Sequence, residues 1–180
     1  MSRVGRKPIK VGSKVKVRSE GATIVVEGPL GSLTRQLPPG VTLRVEEDTV
    51  HVTAPPAQRG NRGHQGLARA LLYKMIVGVQ SGFERGLEVQ GVGYKAEVQG
   101  DRLKLQVGRS HVDFVTILPG LKVTVDKSQS KIRVSGTDNW AVGQMAASIR
   151  GVKKPEPFKG KGIKYDGEII RRKAGKAGSK

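Results

Sequence analysis

Pro39-Gly40-Val41-Thr42-Leu43-Arg44-Val45 reads as a Pro-Gly turn entering an alternating strand, and Pro119-Gly120-Leu121-Lys122-Val123-Thr124-Val125 repeats it eighty residues later. A period of two puts Val41, Leu43 and Val45 on one face, as in a half-buried antiparallel strand. The polar turn Glu46-Glu47-Asp48-Thr49 leads to a second run at Val50 and Val52; Ile132 and Val134 match these at an offset of eighty-two, because their turn is two residues longer. Upstream, Val15 and Val17, the turn at Gly21, then Ile24 and Val26 are answered by Tyr94, Ala96 and Val98, the turn Gly100-Asp101, then Leu103, Leu105 and Val107.

Each half then changes period. From Arg62 to Gln80, Leu67, Leu71, Leu72, Met75, Ile76 and Val79 fall on one helical face; in the second half Asp138 is an N-cap candidate, followed by Ala141, Val142, Met145, Ala146 and Ile149. Shared element order, the shared Pro-Gly turn and near-constant offsets favour duplication over chance likeness between two β-rich domains. The expected fold is α+β: two tandem homologous domains, 1–82 and 83–152, each with small, mostly antiparallel sheets and one α-helix, then a basic C-terminal extension at 153–180.

The 180 residues include no cysteine, which excludes disulfide scaffolds and thiolate zinc sites. No run approaches the roughly 20 apolar residues of a membrane span, and no apolar core follows the basic N-terminus, so a soluble intracellular chain is expected. The net charge of +18 favours polyanionic partners.

That charge is unevenly placed. Residues 1–18 carry Arg3, Arg6, Lys7, Lys10, Lys14, Lys16 and Arg18 with no acid, and from Arg150 onward eleven basic residues face Glu156, Asp166 and Glu168. The ends therefore hold +7 and +8, leaving a nearly neutral body. Basic ends of this kind read as nucleic-acid-binding arms that order on a phosphate backbone. A membrane-surface helix at the C-terminal end is opposed by Gly151, Pro155, Pro157, Gly160 and Gly162.

Signs of catalysis are lacking. His51, His64 and His111 are far apart without metal-ligand spacing, and there is no Gly-x-Ser-x-Gly elbow or His-Glu-x-x-His helix. His51 reads as a surface strand position, and His64 as a solvated or capping residue at the first helix, where phosphate contact is the alternative. Gly91-Val92-Gly93-Tyr94 lacks the third glycine and following helix of a dinucleotide fingerprint, so a turn or bulge is expected. No catalytic residue, metal site or cofactor is assigned.

Pro155-Glu156-Pro157-Phe158-Lys159-Gly160-Lys161-Gly162-Ile163-Lys164-Tyr165 suits an extended chain lying against a phosphate backbone: prolines forbid helix, glycines permit close approach, and lysines meet phosphates. Phe158 and Tyr165 either stack on bases or pack the arm's root onto the second domain.

With Arg171-Arg172-Lys173-Ala174-Gly175-Lys176, Gly91-Val92-Gly93-Tyr94-Lys95-Ala96, and Val142-Gly143-Gln144 leading to Ile149-Arg150, that run makes the chain resemble the bacterial large-subunit ribosomal protein six family over nearly its whole length. The resemblance implies a structural, non-enzymatic protein of the large (50S) subunit, cytoplasmic in the ribosome. It would bind 23S ribosomal RNA near the stalk base and the factor-binding sarcin-ricin region. Its implied neighbours are other large-subunit proteins and, indirectly, translation factors; no small-molecule substrate or membrane is implied. Carried over by position, Lys153, Lys154, Lys159, Lys161, Lys164, Arg171, Arg172, Lys173 and Lys176 would touch phosphates. Arg3, Arg6 and Lys7 of the first arm, and the rings of Phe158 and Tyr165, complete the expected RNA-binding set. Phe158 stands where the family pattern has tyrosine, which keeps a stacking face without its hydroxyl; Arg109 replaces an aromatic, and Trp140 also departs.

Two rivals have distinct requirements. A free-standing architectural DNA-binding protein needs a minor-groove wedge, for which there is no clear candidate. A nuclease needs an acidic metal cluster, and Glu46, Glu47 and Asp48 lie in an expected hairpin turn.

Overall fold

The computed structural model describes residues 5–46, 49–54 and 63–175. The chain divides into two compact units, Met1–Gly82 with Thr137–Asn139, and Phe83–Gly136 with Trp140–Lys180. The first contains β1 (Ile9–Lys10), β2 (Lys16–Glu20), β3 (Thr23–Gly28), β4 (Gly31–Gln36), β5 (Thr42–Glu46), β6 (Thr49–Thr53) and α1 (His64–Ser81). In the second follow β7 (Phe83–Gln90), β8 (Lys95–Gln99), β9 (Arg102–Gln106), β10 (Asp113–Thr116), β11 (Leu121–Val125), β12 (Lys131–Gly136), α2 (Asn139–Val152) and β13 (Gly162–Tyr165).

Six strands and a helix thus occur twice in the same order, and the pairing repeats as well. Sheets β1-β6-β5 and β2-β3-β4 in the first unit correspond to β7-β12-β11 and β8-β9-β10 in the second. The Pro-Gly stretches are β5 and β11. Leu43 pairs with Val52 and Val45 with Val50 on β5 and β6, just as Val123 pairs with Val134 and Val125 with Ile132 on β11 and β12. This fold is the duplicated α+β arrangement that the alternation predicts.

Each unit has its own apolar core. In the first, Ile9, Ile24, Val26, Val50 and Val52 meet Leu72, Met75, Ile76 and Val79 of α1; in the second, Leu87, Leu103, Leu105, Ile132 and Val134 meet Val142, Met145, Ala146 and Ile149 of α2. The helical stripe of α1 differs from expectation at its start. Ala68 faces inward and Leu67 stays 51% exposed, because the 68, 72, 75, 76, 79 row leaves position 67 one residue, about 100°, off the buried face. Asp138 immediately precedes α2, the place an N-cap occupies.

Among the described residues the second unit has one strand more than the first. β13 pairs antiparallel with β7, placing Ile163 opposite Val89 and Tyr165 opposite Leu87, and completes the four-stranded order β11-β12-β7-β13. Ile163 is fully buried in the second core. A domain boundary at 152 therefore cuts through a sheet: the start of the expected extension is structural, because its one aliphatic residue within 155–165 has a core to enter.

Gly91 and Gly93 form a turn, with the Tyr94 amide donating to the Gly91 carbonyl (3.2 Å). A Cβ on Gly91 or on Gly108 would lie 2.7 or 2.8 Å from the Tyr94 ring. Gly91 and Gly108 thus make room for an aromatic side chain. Arg109 bonds Asp113 (3.0 Å) and the Val152 carbonyl (2.6 Å), a cation at the C-terminal end of α2 where the helix dipole favours one.

Candidate nucleic-acid interface

The N-terminal basic segment is folded onto the first unit wherever it is described. Ile9 enters the core, β1 pairs with β6, and Arg69 of α1 donates through Nε to the Lys7 carbonyl (2.7 Å). Arg6, Lys7 and Lys10 are left exposed on this anchored backbone. Arg3, Arg59 and Arg62 lie outside the described residues. His64 opens α1, its Nδ1 3.2 Å from the Pro39 carbonyl, and His51 lies 3.7 Å from Glu46. Of the acidic run, Glu46 is also bonded to Arg44, while Glu47 and Asp48 are outside the described residues. Among the described residues no His, Asp or Glu cluster could hold a metal, and no helix is long and apolar enough to cross a membrane.

The C-terminal basic segment is likewise folded onto its own unit over 153–173. After α2 the chain folds back on itself: the Glu156 amide donates to the Lys161 carbonyl (3.0 Å), the Gly160 amide to the Glu156 carbonyl (3.1 Å), and the Ile163 amide to the Lys153 carbonyl (2.8 Å). Gly162 is required at the crossing. Its φ is +142°, and a Cβ would lie 2.7 Å from the Lys154 carbonyl oxygen and the Pro155 Cα, both backbone atoms that cannot yield. The resulting loop presents Phe158, 55% exposed, and Lys159 outward.

A later segment returns to this loop. The Lys173 amide donates to the Pro157 carbonyl (2.8 Å), and the Arg172 guanidinium lies beside Gly160. Backbone hydrogen bonds thereby gather Phe158, Lys159, Arg172 and Lys173 on one exposed surface, with Lys154 and Arg171 also exposed and Lys153 and Lys161 half-buried. None of these cations makes an ion pair with a described residue. Lys176 lies outside the described residues.

Two residues of the expected set are placed differently. Lys164 on β13 meets Glu88 of β7 (3.0 Å), their side chains only 19% and 26% exposed. Tyr165 packs against the second core, and the Arg150 guanidinium lies 5.4 Å from its ring centroid. Arg150 in turn grips Glu168 through two bonds, Nε to Oε2 at 3.0 Å and Nη2 to Oε1, and Glu168 also accepts from the Tyr165 amide (2.9 Å). Arg150 holds the Glu168 carboxyl below its ordinary pKa, assisted by that amide, and Glu168 raises Arg150. Of the two roles open to the rings, Tyr165 takes the packing one while Phe158 faces solvent.

Fold and surface together define a duplicated α+β protein with a basic and aromatic surface on its second unit. The ribosomal protein L6 family model matches residues 11–82 and 90–166, one segment per unit, the second reaching past β13. The chain is 49% identical over 181 residues to "Large ribosomal subunit protein uL6" of Moorella thermoacetica, covering all of this chain and 98% of that protein. It is 48% identical over 180 residues to the protein of the same name from Synechocystis sp., with both chains covered completely. The chain belongs to the ribosomal protein L6 family, as the residue-level resemblance implied.

Proposed function

We propose that the protein is a non-enzymatic structural component of the large ribosomal subunit, holding 23S ribosomal RNA by its phosphate backbone near the stalk base and the factor-binding region. Neighbouring large-subunit proteins are its expected partners there, and its effect on translation factors is indirect. Family membership supports the ribosomal assignment. The observation that carries the RNA-binding reading is the segment 154–173, where Lys154, Lys159, Arg171, Arg172 and Lys173 are exposed without carboxylate partners among the described residues, as is the Phe158 ring. Structured RNA hides its base edges in a narrow major groove, so fixed cations that match backbone shape, with one ring for an unstacked base, suit it. Lys161 and Lys153 contribute from the margin of the surface. Lys164 acts mainly through Glu88, as a strut beneath it.

Binding of the full chain to deproteinised large-subunit RNA tests this. With about six phosphates engaged, affinity falls by roughly 10³ between 50 and 200 mM salt, by the counterion-release slope of duplex DNA. Each of Lys159→Gln and Arg172→Gln lowers the salt slope by about one. Equal affinity for duplex DNA favours the architectural DNA-binding alternative, and a salt-insensitive complex overturns the reading.

A further inference from the structure

In the second unit, Arg85, Gly143, Ala146 and Tyr165 line a cleft of about 300 Å³ between β7, α2 and β13. That volume is at the lower end of the range of pockets that accept small ligands, roughly 300–1,000 Å³. Three observations make the cleft unusual for a packing defect.

Arg85 breaks the strand pattern. It pairs with Val134 as Leu87 pairs with Ile132, and paired residues share a face, so Arg85 emerges on the helix-covered side of the sheet. It is exposed at the end of that face and forms no ion pair with any described residue. Asp166 lies over Gly86, which points to the opposite face, and Glu168 is held by Arg150. The positive charge beside the cleft is thus left for an outside anion.

Gly143 has no internal explanation. It sits within α2, where glycine is the least favourable residue after proline, and a Cβ built on it meets nothing within 4 Å. The duplication supplies a comparison. Leu72, Met75, Ile76 and Val79 of α1 share their spacing with Val142, Met145, Ala146 and Ile149 of α2, so Gly143 occupies the place of Tyr73. The unit whose helix carries an aromatic side chain there has no counterpart of β13 among the described residues; the unit with bare backbone has the cleft.

We propose that this cleft seats one nucleotide of the bound RNA, its phosphate on Arg85 and its ribose against the bare helix backbone at Gly143. The proposal rests on the RNA-binding reading above and adds a second contact, formed by β7, α2 and β13. Space without a side chain, a guanidinium with no ion pair among the described residues, and Tyr165 in the lining suit a sugar-phosphate unit, whereas a protein side chain would require an anion of its own for Arg85.

The test uses the full chain, deproteinised large-subunit RNA and the variants Gly143→Leu, Gly143→Ala and Arg85→Gln. Both Gly143 substitutions favour helix, so the melting temperature should rise by about 2–4 °C while RNA affinity falls. Arg85→Gln lowers the salt slope by about one and the affinity about ten-fold at 0.1 M salt. Gly143→Ala guards against disturbance of the helix by leucine and weakens binding less. Wild-type RNA affinity in Gly143→Leu, or an unchanged salt slope in Arg85→Gln, overturns the proposal even where Lys159→Gln and Arg172→Gln weaken binding as expected. Full RNA affinity with loss of co-sedimentation with large subunits assigns the cleft to a neighbouring protein and also overturns it. If the wild-type chain itself does not bind the RNA, both readings fall.

Discussion

Ile163→Ala tests whether the basic C-terminal segment is part of the second core. Ile163 is fully buried, with Leu87, Leu105 and Ile149 in the same cluster, and its strand is hydrogen-bonded along β7. Removing the outer carbons of a buried isoleucine costs their transfer free energy plus that of the cavity left behind, roughly 2–5 kcal/mol. About 3 kcal/mol is reasonable for a site on a short strand that can partly collapse. With a urea dependence of roughly 1–3 kcal/mol per molar, the unfolding midpoint drops by about 1–3 M. Trp140, the only tryptophan, lies in α2 of the second unit, so its fluorescence during a urea titration reports that unit. Ile169→Ala is the control. Ile169 is 94% exposed, and its truncation should stay within about 0.5 kcal/mol of wild type. Equal midpoints for Ile163→Ala and Ile169→Ala would refute the assignment of β13 to the core and restore the picture of a free basic arm.

Other consequences can be measured the same way. Gly162→Ala drives a methyl group into the Lys154 carbonyl, so destabilisation of at least 1–3 kcal/mol, roughly, is expected in urea titration. Glu168 has a lowered folded pKa, so its bond to Arg150 contributes stability above the ordinary glutamate value of 4.5 and loses it as pH falls through the lower folded value. Glu168→Gln should therefore be less stable than wild type at pH 7 and approach it at pH 3, a narrowing visible in urea midpoints at the two pH values. Leu72→Ala should cost about 2–5 kcal/mol and Leu67→Ala less than about 1, since only Leu72 is buried; thermal melts of the two separate the observed helix face from the one that simple periodicity selects.

The elements legible in the sequence are those whose own residues alternate. β3, β5, β6, β9, β11 and β12 carry two or three apolar residues at period two, and α2 has an apolar stripe. The strands that escaped carry less of that signal. β1 has two residues, β4 has Leu33 as its single aliphatic residue, β7 begins Phe-Glu-Arg-Gly before Leu87 and Val89, and β13 has Ile163 between glycine and lysine. Their pairing is decided by partners elsewhere in the chain, and no local window contains those partners. The basic surface was legible as composition, because clustered lysines and arginines need no fold to be counted. Which of them are already occupied was not: Glu88 lies far from Lys164 in the chain, and only the pairing of β7 with β13 brings them together. The half-buried place of Gly143 beside the cleft also follows from packing, since a glycine in a sequence does not disclose which side of a helix it will occupy.

The late position of β13 has a bearing on synthesis. Chains emerge N-terminal end first, so β7 is made before every other strand of its sheet, while the strand that will cover one of its edges comes last, after α2. Until residues 162–165 are available, the β7 amides and carbonyls that will pair with β13 form an open edge to which another nascent chain could add. The lysines and arginines made just before and after β13 give that interval a repulsive character. In a cell producing many copies at once, the same positive charges that suit RNA would keep unfinished chains apart until the sheet closes.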